Sequence, residues 1–229
     1  LAQLRELLMT FDGSMVPRDE RAAEFAPVLT AVIEPLLAAC RSGATNAGVG
    51  AAASAVFDIN CTSVVVELLK LFPFTSARAA ELEQRIAKAA DVLVDGQADD
   101  ILKNCGLAEK IELVQQHQAG KLGAPAKRMC DVGGLARAEL TAAVRNFERK
   151  IANDVGGLVQ RHCDKVESNR RRVDAQRRST ERVLQLYTLL FDAVTADGAG
   201  YGGARAVAGE QQQADGAAAA ARTNAGANG

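Results

Sequence analysis

At 229 residues the chain is long enough for one large domain or two small ones. Its 27 basic and 28 acidic side chains leave a formal charge of −1, which excludes a global basic field for nucleic acid or membrane. Hydrophobic residues reach 48%, but much of that is alanine; aromatics are 4% and Trp is absent. Alanine loses no side-chain entropy in a helix, so this composition favours an all-α fold. Cys40, Cys61, Cys105, Cys130 and Cys163 form no CxxC pair, which suits free thiols in a reducing compartment. There is no signal-peptide pattern, and no apolar run reaches the ~18–20 residues that span a bilayer. The first residue is Leu1 rather than Met, as expected of a piece of a longer chain.

In chain order, residues 1–11 read as a helix with Leu4, Leu7, Leu8 and Phe11 on one face, broken by Asp12-Gly13-Ser14. Residues 18–26 read as a short helix of their own. The next starts near Pro27, carries Val32, Ile33 and Leu37, and should kink at Pro35. The glycines of 42–50 predict a loop. From about Ala51 to Leu71 the pattern is apolar on nearly every side, so this helix is expected at the centre of the core. It meets a break at Pro73. Thr75 or Ser76 should then cap a long helix to Cys105, with Leu82, Ile86, Ala89, Leu93 and Ile101 on its buried face and Gly96-Gln97 interrupting the stripe. Gly106 reads as a C-terminal cap, and Leu107 opens a helix through Gln118.

Residues 119–134 predict a second loop. Leu140, Val144, Phe147 and Ile151 follow helical spacing, and Gly156-Gly157 mark a bend. From Leu158 to about Ala196 the pattern is helical again, with Leu184, Tyr187, Phe191 and Val194 as the expected buried face. Beyond Asp197, 20 of 32 residues are Ala or Gly, a composition that buries no core and reads as disordered. About eight helices with short connections describe a stacked antiparallel bundle or rod over 1–197, with a sub-boundary at 119–134, followed by a tail over 198–229.

The candidates for chemistry are sparse. His117 stands at a helix end with no second His or Cys at i+3 or i+4, and reads as a surface or capping residue. His162 and Cys163 are adjacent, so they do not share a helix face and make a poor dyad. Asp99-Asp100 and Glu109/Glu112 read as solvated carboxylates. The glycine-rich loop SGATNAGVG has neither the Lys-Ser/Thr ending of a P-loop nor a preceding strand. No catalytic residue, metal ligand or cofactor site is assigned. The remaining feature is a basic stretch, Arg161–Arg182, with eight cations against four acids. Within it Arg170, Arg171, Arg172, Arg177 and Arg178 are candidate contacts for an anionic partner. It has no interleaved aromatics for base stacking and no large apolar residues for membrane insertion. A solvated face, an acidic partner helix and a lipid or nucleic-acid surface all stay open.

Three stretches, ACRSGATNAGVG (39–50), VVVELLKLFPFTSARAAELEQRI (64–86) and GLAEKIELVQQHQ (106–118), resemble in order and spacing the C-terminal part of subunit 6 of the conserved oligomeric Golgi complex. The resemblance is specific over 28–118. It extends diffusely to LYTLLFDAVTAD near Ala196, and the loop 119–134 and the tail depart from it. It implies a non-catalytic subunit of a vesicle-tethering complex, peripheral on the cytosolic face of the Golgi membrane. The implied function is capture of retrograde intra-Golgi vesicles by protein–protein contact. The implied partners are the other complex subunits, with SNARE and Rab proteins, and no nucleic acid. It also implies an upstream coiled coil that this chain lacks. The alternative is a helical lipid- or nucleic-acid-binding domain using the basic 161–182 face.

Overall fold

A computed structural model describes residues 1–46, 48–121, 128–153, 160–196 and 198–201. Among these residues the regular structure is helical throughout: α1 (Ala2–Asp12), α2 (Arg21–Asn46), α3 (Ala51–Leu69), α4 (Ser76–Cys105), α5 (Ala108–Gln118), α6 (Arg137–Asn153) and α7 (Asn169–Thr195), with three short 3-10 turns. The chain divides into two compact units. Unit 1 comprises Leu1–Ile101 and Leu158–Arg182, and unit 2 comprises Leu102–Gly157 and Val183–Gly229.

In unit 1, α2 is continuous through both prolines, where a break was expected at Pro27. Phe25, Leu29, Ile33 and Leu37 form one buried stripe along it, each at 4% exposure or less. Each such side chain contributes about 1.5–3 kcal/mol on burial, against about 3 kcal/mol for each interior proline. Pro27 and Pro35 face solvent, where water can serve the carbonyls they leave without a donor. The same helix continues to Asn46 and so takes up half of the expected 42–50 loop.

Next comes α3, which is buried on one side only. Ile59, Val65, Val66 and Leu69 are at 2% exposure or less, while Phe57, Val64 and Leu71 are 43%, 46% and 64% exposed. Phe57 and Val64, seven residues apart, form an apolar stripe on the open side of α3, with Leu71 exposed just beyond the helix end, where a fully buried helix was expected. By length and composition α3, and α2 over Arg21–Ala44, match a bilayer span. Each places a full apolar face in the core of unit 1.

The turn after α3 is fixed from two sides. Phe74 packs against Phe11 and Phe25 at ring distances of 5.5 and 5.6 Å, and Phe72 lies 5.9 Å from Phe74. The Thr75 hydroxyl, 1% exposed, sits between the carbonyls of Leu69 (2.6 Å) and Phe72 (2.8 Å). Thr75 therefore closes the end of α3, and α4 starts at the next residue, Ser76, within the Thr75–Ser76 start that the sequence pattern predicts. The returning α4 buries Leu82, Ile86, Leu93 and Ile101 as its spacing predicts. Gly96 is the closest approach to α3: a Cβ there would lie 2.9 Å from the Ala52 Cβ. Gln97 is buried because its side-chain oxygen accepts the His162 backbone N–H at 2.9 Å.

Residues 160–168 were expected to be helical and are not. They form a strap with a single 3-10 turn, Cys163–Lys165, that buries Cys163 and Val166. Asn60 clamps it, donating to the Lys165 carbonyl and accepting the Glu167 N–H, both at 3.0 Å. The strap lets α7 start beside the first half of α4 and run parallel to it. Arg171 meets Glu83, Arg178 meets Asp91 and Arg182 meets Asp95, at sequence separations of 88, 87 and 87. A near-constant separation is the mark of a parallel pair. Burial alone would push the Glu83 carboxyl up, but hydrogen bonds and charge from Lys70 and Arg171 hold it below its ordinary range.

In unit 2, Gly106 (φ 74°) ends α4, and the Leu107 N–H reaches back to the Leu102 carbonyl at 2.9 Å, as the glycine predicted. Phe147 of α6 stacks on Tyr187 at 5.2 Å. Along α7, Val183, Leu190 and Ala193 are buried, while Leu184 and Phe191 are more than half exposed. The buried face is thus one residue off the expected one, because apolar residues surround this stretch and only packing selects among them. Of the segment expected to be disordered, the described residues 198–201 are packed. The Ala199 carbonyl accepts from the Cys130 N–H at 3.1 Å, and the buried Tyr201 phenol donates to the Leu135 carbonyl at 2.5 Å. Most of that segment, the bend at 156–157 and residues 122–127 of the loop lie outside the described residues.

Three measurements check this packing. Thr75→Val removes the hydroxyl donor that the Leu69 and Phe72 carbonyls share while each keeps a backbone N–H, and should cost about 0.5–1.5 kcal/mol in urea unfolding. Gly96→Ala should destabilise by about 1 kcal/mol despite its better helix propensity, and adding Ala52→Gly should reverse the loss. Because Glu83 binds its proton less readily when folded, its contribution is present above the ordinary Glu range and is lost as pH falls through the folded value. Acid titration of stability should therefore be shallower in Glu83→Gln than in the wild type.

Candidate functional site

Four of the five candidate arginines are engaged within the chain. Arg171 donates to both oxygens of Glu83 at 3.0 Å. Arg172 bonds the Val166 carbonyl (3.2 Å) and Asn169 (2.9 Å), closing the strap onto α7. Arg178 meets Asp91, and Arg177 meets Asp174 (2.9 Å) and Glu181 (2.5 Å) on its own helix. Arg170 is exposed and makes no hydrogen bond or ion pair among the described residues.

All except Arg172 border one groove of about 720 Å³ within unit 1, between α3, α4 and the start of α7. Its floor is apolar: Ile59, Ile86, Val166 and Ala175 are each 3% exposed or less. Ala87 and Ala90 give it a low wall on α4, and Val173, 54% exposed, stands at its α7 edge. Lys70 adds a cation from α3, with Glu67 (3.2 Å) and Glu83 (2.9 Å) beside it. The lining thus holds five cations and three carboxylates over an apolar floor. Lys70, Ala87 and Val173 had no signal in the sequence, since helices far apart in the chain supply the walls.

The other candidates are placed apart from this groove. His162 lies on the strap with its Nε2 3.0 Å from Asp100, which ties the strap to α4. Cys163 is fully buried 3.6 Å from the Ser179 hydroxyl, and burial pushes its thiol up. His117 is in the last turn of α5, where its sequence position put it. Glu112 accepts from Gln116 one turn on. The thiols of Cys40 on α2 and Cys61 on α3 lie beside each other, a pairing the sequence did not reveal. Burial first, then that contact and the charges of Asp58 and Glu167, push Cys61 up to about 12, which keeps it a neutral thiol. Among the described residues no cluster of three or more His, Cys, Asp or Glu is arranged to hold a metal.

Comparison with known proteins bears on what such a surface is for. Residues 1–214 match the family model described as Conserved Oligomeric Golgi complex subunit 6, C-terminal. Relatives named Conserved oligomeric Golgi complex subunit 6 from Bos taurus and Homo sapiens are each 31% identical over 85% of this chain and 28% of their own length. One from Dictyostelium discoideum is 24% identical over 84% of this chain and 28% of its length. The chain therefore spans less than a third of the curated relatives it matches. No solved structure matches it. With the match covering both units and the helices described in each, the chain belongs to the family of Conserved Oligomeric Golgi complex subunit 6, C-terminal.

Proposed function

We infer that this chain is the C-terminal part of a non-catalytic subunit of a Golgi vesicle-tethering complex, acting by protein–protein contact in retrograde intra-Golgi transport. Its partners are the other subunits of the conserved oligomeric Golgi complex, with SNARE and Rab proteins as transient ones. It works as a peripheral component on the cytosolic face of the Golgi membrane. The observation that carries this reading is the family match over residues 1–214. The placement of the polar side chains supports it: His162, Arg171, Arg178 and Arg182 tie helices and strap together, which is a scaffold's use of such groups.

The lipid or nucleic-acid alternative draws less support. It relies on cations of the 161–182 stretch, and Arg171, Arg172, Arg177, Arg178 and Arg182 are bonded to groups of this chain. Affinity pulldown with the tagged chain should recover the other complex subunits. Recovery of none of them would move the binding function out of this part of the protein. In cells, deleting this segment from the full-length subunit should displace Golgi glycosylation enzymes, read by imaging and by altered surface glycans.

A further inference from the structure

The groove of unit 1 combines an apolar floor with an exposed cation, Arg170, at its rim. We propose that it is a docking site for an acidic amphipathic helix of a partner protein. This rests on the reading of the chain as a protein–protein contact module and names the chemistry of one contact.

Three observations favour that occupant. The first is charge complementarity: Lys70, Arg171, Arg177 and Arg178 of the lining are matched by Glu67, Glu83, Asp174, Glu181 and Asp91, which leaves Arg170 as the lining cation with no partner among the described residues. Arg177 is bonded only to carboxylates of its own helix and its side chain is 59% exposed, so it can exchange partners at little cost. The second is spacing. Arg170, Val173 and Arg177 stand at i, i+3 and i+7 on one face of α7 and span roughly 10 Å. A helix carrying carboxylates two turns apart, with an apolar residue between them, presents the complementary pattern. The third is shape. Ala87 and Ala90 leave room for an apolar side chain above a floor at Ile59, Ile86, Val166 and Ala175. Phosphates of a bilayer or of a nucleic acid would meet Glu67, Glu83 and Asp174 in the same lining, which disfavours them relative to a helix that brings apolar side chains.

The test uses the whole 229-residue chain. The probe is a fluorescein-labelled amphipathic peptide of about three heptads, with Glu two turns apart and Leu between, beside a counterpart with Lys in place of each Glu. Phosphatidylserine-containing vesicles and polyuridylate are the competing ligands. The acidic peptide should bind and the Lys counterpart should not. Arg170→Glu with Arg177→Glu should weaken binding at least about ten-fold, with Arg171 and Arg178 left in place to hold α7 on α4. Val173→Lys adds a cation and removes the apolar edge. It should also weaken binding, whereas attraction by charge alone would strengthen it. Circular dichroism and the thermal midpoint verify that each variant is folded. If the double reversal fails to fold, Val173→Lys and the Lys counterpart decide. The proposal is overturned if the acidic peptide does not bind the wild type, or binds Val173→Lys as tightly. It is equally overturned if vesicles or polyuridylate bind the wild type and are lost in the double reversal. Co-purification with the other complex subunits, retained while the peptide is ignored, rejects the groove alone. Loss of co-purification by the wild type rejects the broader reading.

Discussion

Unit 1 depends on how the chain turns between α3 and α4. One hydroxyl proton, on Thr75, is held between two carbonyls in a site closed to water, and the ring of Phe74 is driven into Phe11 and Phe25 beside it. The hydroxyl adds a second donor to carbonyls that already accept the Phe72 and Thr75 N–H groups, and a Phe side chain is among the largest gains from burial. The turn is therefore held by a polar and an apolar constraint at the same place. It sets the return path of α4 across α3, and Gly96 against Ala52 fixes how closely the two helices run. The parallel docking of α7 follows, because its arginines can reach Glu83, Asp91 and Asp95 only where α4 has been placed.

This arrangement explains why a strongly basic segment does not amount to a basic surface. Arginine suits the helix-to-helix contact because its planar fork satisfies both oxygens of a carboxylate, as Arg85 of α4 does with Asp58 of α3, while Arg171 reaches both oxygens of Glu83 from one nitrogen. Individually such exposed pairs are weak. Repeated at a constant separation along two parallel helices, they select that register over neighbouring ones. What remains for other partners is smaller and better defined: Arg170, the exposed side of Arg177, and an apolar trough between them.

The exposed Phe57 and Val64 of α3, with Leu71 in the turn after it, belong to the same picture of a unit whose packing leaves apolar surface outside. Membership of a family named for a multisubunit complex gives such surfaces a natural context, since assembly is where exposed apolar faces acquire partners.

Much of this was legible in the sequence where neighbours in the chain decide the outcome. The helical content, the apolar face of α4, the break at Pro73 and the Gly106 cap are short-range consequences of side-chain spacing, backbone freedom and a missing donor. The family resemblance likewise rested on segments whose order and spacing are local. Other features were decided only by the tertiary structure. Local preference argues for a break at Pro27, but a buried stripe running past it and solvent on the proline side hold α2 together. Residues 160–168 have helical composition, yet Asn60, Gln97 and Asp100, from helices about 60 to 105 residues away, claim their polar groups and lay them out as a strap. On α7 the apolar residues offer more than one face, and burial picks Val183 and Leu190 over Leu184 and Phe191. The groove is the extreme case. Its floor and rim come from α3, α4, the strap and α7, and no local pattern encodes a surface assembled from four remote pieces. Sequence by itself determined most of the helices and the family that they resemble. How those helices share their charges, and which apolar faces are left open, only their packing decided.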